Sequence, residues 1–356
     1  MKEMTSRERI LRMFMHKEAD HIPIVDRPWG DDTIKRWQAE GMPENVDYQD
    51  YFGMDKVIRI DIDNSPRFPE EIIEETSEYI IYKTSWGETR KSWQTMTSTP
   101  QSLDFVVKTP DDWRRAKEMM TPDRNRIQWS YLRDNYAAWR KEDALIMPNI
   151  CFGFDVTHSY MLGMETTLIA LLEEPEWCIE MFEHQLNTAL ALLDMVWDEG
   201  YTFDLLRWPD DMGYKNKQFF SVQTYREMLK PLQKRAIDWA HNKGIPAYLH
   251  SCGNIEPFIP ELVELGLDGL NPLEVKAGMD PLGIKSTYGD SLVLHGGINA
   301  LLWNDLDAME EVLRENIPVL KERGGYIFGT DHSIPSTVSA KDLKYIIGLV
   351  KKLGQY

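Results

Sequence analysis

The chain has 356 residues, 42% of them hydrophobic and 28% charged, which are values of an ordinary folded protein long enough for one large barrel or two average domains. A formal charge of −18, with no compact Lys/Arg cluster to offset it, argues against nucleic acid or an anionic membrane as partner. No apolar run approaches the roughly eighteen residues of a membrane span, the N-terminus carries scattered charges instead of an apolar signal core, and Cys151, Cys178 and Cys252 lack disulfide spacing, so a reduced, cytoplasmic protein is expected.

Along the chain, Thr5 and Glu8 stand in capping-box spacing ahead of Ile10, Leu11 and Phe14 on one face, which predicts an opening helix. "HIPIV" (21–25) follows as a short strand and "KVIRIDI" (56–62) as another, while "EYIIYKTSWGETRKSW" (78–93) reads as a hairpin turning at Trp86 and Gly87. From about residue 110 helical stretches alternate with short apolar strands: "ALIMPN" (144–149), "FDLLRW" (203–208), "IPAYLH" (245–250), "DGLNP" (268–272), "LVLHGG" (292–297) and "GYIFG" (325–329). Helices are predicted over 173–199, 222–242, 256–265, 306–321 and 340–353. Short, nearly continuous apolar strands alternating with helices imply a parallel sheet covered by helices. With "HIPIV" and "KVIRIDI" the strands number eight, and neither G-x-G-x-x-G after the first strand nor a P-loop is present. The expected fold is therefore α/β, a (β/α)8 TIM barrel with an N-terminal extension and hairpin, forming a single domain over 1–356.

In such a barrel chemistry sits at the C-terminal strand ends. Here "FDLLRW" runs into Asp210 and Asp211, "IPAYLH" ends at His250 and continues to Cys252, and "DGLNP" runs into Glu274. "LVLHGG" carries His295, and "GYIFG" leads to Asp331 and His332. Each alone has a bland reading: a packed histidine, a small buried thiol, an aspartate capping the next helix. Five successive strand ends converging on one mouth say more. Residues two apart in an extended chain point to the same side, so His250 and Cys252 can offer nitrogen and sulfur to one ion, with Glu274 and either His332 or Asp331 to complete it. A mixed S/N/O set suits Zn²⁺ better than Mg²⁺ or Ca²⁺.

The segments "RWPDDMG", "YLHSCGNI", "GLDGLNPLE", "STYGDSLVLHGGINA" and "GTDHSIPSTVS" resemble, in order, successive segments of the uroporphyrinogen decarboxylase superfamily, and the likeness runs weakly through the whole chain. That superfamily is a (β/α)8 barrel whose members include decarboxylases and corrinoid-dependent methyltransferases. The decarboxylases carry an arginine-rich N-terminal motif; here "IPIVDRPWGDDTIKRW" keeps Arg27 and lacks the rest, and neither it nor the acidic strand ends suggest a strongly basic pocket. Porphyrinogen decarboxylation is disfavoured on that ground.

The methyltransferase branch, by resemblance, implies zinc held by His250 and Cys252, with Glu274 where its relatives place a zinc-binding glutamate. The usual final cysteine is absent, so His332 or Asp331 would stand in for it. Exchanging sulfur for oxygen or nitrogen leaves the ion a harder Lewis acid, suited to a methyl ether more than to a thiol. The expected activity is O-demethylation of a methoxylated aromatic, with the methyl group passing to a corrinoid (cobalamin) on a separate partner protein. Trp208, Phe154, Tyr248, His295 and Asp211 are candidate substrate contacts, and Asp210 and Asp331 candidate general acids. A homodimer is expected by analogy only. The competing readings are a metal-independent decarboxylase acting on a carboxylic acid and a binding protein that has lost catalysis.

Overall fold

The computed structural model describes residues 3–356. In chain order its strands are β1 (Val57–Asp61), β2 (Glu71–Glu75), β3 (Tyr79–Lys83), β4 (Glu88–Trp93), β5 (Gln101–Phe105), β6 (Leu145–Asn149) and β7 (Leu206–Pro209). There follow β8 (Gly213–Tyr214), β9 (Lys217–Gln218), β10 (Ala247–His250), β11 (Gly269–Asn271), β12 (Val293–His295) and β13 (Tyr326–Ile327). Seven of these form one parallel sheet in the order β1-β6-β7-β10-β11-β12-β13.

The sheet is curled into a TIM barrel, and the "HIPIV" segment spans its seam. Ile24 bridges Phe328 in parallel on one side, and on the other its carbonyl accepts from Asp55 N at 2.9 Å, just before β1. The seam is locked by a buried charge network. Asp55 accepts from Ile24 N at 2.8 Å and from Arg9 Nη1 at 2.5 Å, while Arg9 Nε also donates to Asp20 at 2.7 Å. Arg9 belongs to the opening helix, Ser6–Phe14, whose Thr5 hydroxyl accepts from Glu8 N.

Strand alternation divides the apolar residues into two cores. Inside the barrel, Leu145, Met147, Leu205, Tyr248, Val293 and Ile327 pack with Ile10 and Met13, so the opening helix plugs the N-terminal end. Between barrel and helices lies the larger shell, which includes Ile60, Ile146, Leu206, Trp208, Leu249 and Leu294.

The predicted hairpin is β3 with β4, antiparallel, but it sits within a four-stranded sheet, β2-β3-β4-β5. The outer strands escape sequence reading because "EIIEE" is exposed along its whole length and "QSLDF" almost so, leaving no two-residue hydrophobic alternation. This sheet leans on the loops of the mouth: Trp86 faces Tyr160 with ring centroids 6.5 Å apart, and Thr97 N donates to Asp32 at 2.6 Å. The helix predicted over 173–199 is Pro175–Asp198, and the one over 222–242 is interrupted by a π-helical turn at Tyr225–Leu229. Among the described residues, no helix is long and apolar enough to cross a membrane.

Candidate metal centre and cavity

The C-terminal ends of the strands surround a cavity of about 380 Å³. His250 and Cys252 both line it, as the two-residue spacing requires. The chain turns sharply after them at Gly253, which has φ +79° and lies so close to β8 that an added Cβ would fall 2.1 Å from the Gly213 carbonyl carbon. Only glycine lets the two loops cross there.

His250 Nε2 lies 3.5 Å from Cys252 Sγ and 3.8 Å from Asp211 Oδ1, and one ligand atom from each of the three residues falls within 4.8 Å of the others. Tetrahedral zinc, with bonds of about 2.0–2.3 Å, sets its ligand atoms about 3.4–3.6 Å apart, so these donors need little movement to share an ion. The second ring nitrogen of His250 faces Asn271 Oδ1 at 2.5 Å; an amide oxygen only accepts, so Nδ1 carries the proton and Nε2 keeps its lone pair for the cluster. Burial, and then the Arg207 charge, hold His250 well below the usual imidazole range, which keeps it neutral and able to ligate. Burial, followed by the carboxylates of Asp211 and Glu274, pushes the Cys252 thiol up, a thiolate disfavoured until a cation joins it. The donor set therefore fits zinc.

The third member of the cluster is Asp211, expected from sequence as a substrate contact. Glu274 and His332, expected as ligands, lie outside this three-residue group. Glu274 Oε2 accepts from Gly253 N at 2.6 Å and Oε1 lies 3.5 Å from Lys276 Nζ, so the side chain braces the loop that carries Cys252. His332 lines the cavity, and its ring packs on that of Trp29 with centroids 4.6 Å apart.

Neither predicted acid has a free carboxylate in the cavity. Asp331 is fully buried; its oxygens accept from Ala300 N at 2.8 Å and Lys276 N at 3.3 Å, tying three loops together. Asp210 is fully buried behind the cluster, accepting from Asp155 N at 2.9 Å and Gln233 Nε2 at 3.0 Å.

The aromatic candidates fare differently from expectation. Trp208 is fully buried in the outer shell against Phe152, and Phe154 packs among His158, Phe219 and Phe220, so neither reaches the cavity. Tyr248 lies in the inner core and its hydroxyl meets His295 Nδ1 at 2.5 Å. His295 lines the cavity, but its Nε2 is 2.8 Å from the Val25 carbonyl, so both nitrogens are engaged; burial lowers its pKa to about 4 and keeps it neutral.

What sequence reasoning missed is basic. Arg27, Arg59 and Arg207 all line the cavity, so two arginines join the expected Arg27 in a pocket that was not expected to be strongly basic. On β7 the cavity-facing residue is Arg207 and its neighbour Trp208 faces the shell; on β1 Arg59 faces inward while Ile58 and Ile60 face outward. The signal was present in "LLRWP" and "VIRID", since an arginine inside a short apolar strand has nowhere to go but the barrel interior.

Comparison with known proteins agrees with this architecture. The family described as Uroporphyrinogen decarboxylase (URO-D) matches residues 98–353. The uroporphyrinogen decarboxylase of Helicobacter pylori (strain P12) is 31% identical over 138 residues, a match spanning 37% of this chain and only 35% of that enzyme. Among solved structures, a methyltransferase from Methanosarcina mazei superposes with a TM-score of 0.65 over 98% of this chain and 99% of its own, at 14% identity, a likeness of fold.

Proposed function

The chain belongs to the uroporphyrinogen decarboxylase family, and from that premise we propose that it is a zinc-dependent methyltransferase, a single barrel domain working in the cytoplasm, that moves a methyl group from an O-methylated aromatic to the Co(I) of a separate corrinoid protein. The observation that carries this reading is the convergence of Asp211, His250 and Cys252 at the barrel mouth. Zinc held there would supply Lewis acidity at an ether oxygen. Overall, the C–O bond of the methyl ether breaks, its electron pair stays on the phenolate oxygen, and the methyl group goes to the two-electron donor Co(I). The chain's own residues prepare that event. His250 would ligate through Nε2, because Asn271 holds its other nitrogen; Cys252 would ligate as thiolate, and Asp211 would offer a carboxylate oxygen. We assign Glu274, already bonded to the backbone beside Cys252, as the fourth ligand. His332, packed on Trp29, would line one side of the aromatic ring, and a partner's corrinoid would supply the methyl acceptor from the open mouth.

The test is elemental analysis of protein purified without added metal, as wild type and Cys252→Ala, followed by Co(I) methylation assays with methoxylated aromatics. About one zinc per chain, lost in the variant together with activity, is expected; metal-free wild type would sink the zinc mechanism.

A second reading is favoured by the three cavity arginines: decarboxylation of a small carboxylic acid without metal. Release of carbon dioxide that survives full chelation would establish it in place of methyl transfer.

A further inference from the structure

Methyl transfer from an ether needs a metal site and an aromatic wall; it assigns nothing to three arginines. Arg27 Nε donates to Ser333 Oγ at 3.1 Å and Arg207 Nη1 donates to Asn149 Oδ1. Among the described residues, no hydrogen bond is made by the Arg59 guanidinium, and none of the three has a carboxylate within ion-pair distance. The contrast within the same chain is sharp: Arg9 is bonded to Asp20 and Asp55, and Arg140 to both oxygens of Asp204. Asp26, which also borders the cavity, accepts from Thr330 N at 2.9 Å, Thr330 Oγ1 at 2.7 Å and Arg27 N at 2.8 Å, so its oxygens are occupied.

Leaving like charges together in a cavity is costly unless an anion joins them. Burial and then mutual repulsion lower the pKa of Arg59 and bring that of Arg207 down to about 10, the strain that a bound anion would relieve. Arg59 is an exposed residue by surface area, yet it lies on a barrel strand and lines this cavity, so the surface it shows faces a prospective ligand.

Depth sets the orientation. Arg207 pairs in register with Tyr248, two residues before His250 on the adjacent strand, so it stands one inward-facing position deeper than the metal cluster. The cavity, near the lower end of the roughly 300–1,000 Å³ common for ligand sites, suits a single-ring compound better than a tetrapyrrole. We propose that the methyl donor is a single-ring aromatic acid whose carboxylate binds Arg59 and Arg207 inside the barrel, with Arg27 beside them, leaving its methoxy group at the Asp211–His250–Cys252 cluster. The planar guanidinium fork matches a carboxylate in a way a lysine would not. The donor's identity as a methyl ether rests on the proposed function; the carboxylate site itself does not.

The experiment is calorimetric titration of the full chain with 4-methoxybenzoate, 3-methoxybenzoate and unsubstituted benzoate, against 4-methoxybenzamide, with Co(I) methylation followed in parallel. The acids should bind at least tenfold more tightly than the amide. Arg59→Gln and Arg207→Gln should each lose about tenfold or more for the acids and leave the amide unchanged. No saturable binding of any acid at millimolar concentration, or equal affinity for acid and amide, overturns the carboxylate site; the wild-type comparison stands even if a variant fails to fold. Methylation from the amide as fast as from the acid also overturns it. Acid-selective, arginine-dependent binding with no cobalt methylation from any ether keeps the carboxylate site and overturns methyl transfer instead.

Discussion

Asn271 Oδ1 lies 2.5 Å from His250 Nδ1, and the same amide donates through Nδ2 to the His295 carbonyl at 3.2 Å, so its orientation is fixed from both ends. That geometry makes Asn271 a positioning residue, which selects the tautomer of His250 that presents a lone pair to the cluster. Asn271→Leu should therefore weaken zinc binding by about 10–100-fold without removing a ligand. Asn271→Asp, which keeps an acceptor, should restore most of it. Competition with a chromophoric chelator measures both; unchanged affinity in the leucine variant would show that the imidazole needs no such support.

Glu274 and His332 separate in a second experiment. A fourth ligand contributes directly to the affinity, whereas a wall residue does not. Glu274→Gln can still accept from Gly253 N, so the loop that carries Cys252 should stay in place while the anionic donor is lost. Zinc affinity is expected to fall by about tenfold or more. His332→Ala should leave zinc affinity within about twofold and instead weaken aromatic ligands, because its ring packs on Trp29. The opposite pattern would exchange the two assignments.

The barrel was legible because its strands are short apolar runs at regular intervals, and the strand-end rule then pointed to His250 and Cys252 without further help. Asp211 is legible near them as a substrate contact, since ligand and substrate contact look alike until the loops after β7 and β10 meet in space and group it with His250 and Cys252. Trp208 and Phe154 are aromatic and stand next to strand ends, which makes both look like substrate contacts; yet alternation along β7 puts Trp208 in the shell and Arg207 in the cavity, and Phe154, in the helical turn after β6, packs among His158, Phe219 and Phe220. The outer strands β2 and β5 were illegible for a different reason: they show solvent so much surface that no buried face leaves a periodic trace. Asp331 is instructive too, because a conspicuous carboxylate beside a histidine turned out to bond backbone N–H groups of neighbouring loops.

The seam of the barrel offers a stability prediction. Arg9 joins Asp20 and Asp55, and Asp55 in turn holds Ile24 N, so one guanidinium ties the opening helix to the bridged segment at the seam of the barrel. Arg9→Leu leaves two carboxylates without their cation, one of them buried, and should cost about 3–5 kcal/mol. Urea denaturation followed by circular dichroism checks this. Asp55→Asn in the Arg9→Leu background should recover part of the loss, and additive losses would rule out the coupling.

Asp210 yields the pH dependence. Burial pushes its carboxyl from an ordinary 3.8 up to about 7. Between those values the folded chain holds a proton that the unfolded chain has released, so folding takes up a proton and stability falls as pH rises across the window. Below about pH 4 both states are protonated and above about pH 7 both are ionised, so the contribution is flat at each end. The full change is on the order of 4 kcal/mol. Chelated wild type and Asp210→Asn compared by urea denaturation at pH 5 and pH 7.5 isolate it, because titrations elsewhere cancel in the difference. Wild type should lose stability relative to the asparagine variant as pH rises. A constant difference would mean that the two N–H donors, Asp155 N and Gln233 Nε2, keep Asp210 ionised throughout and outweigh its burial.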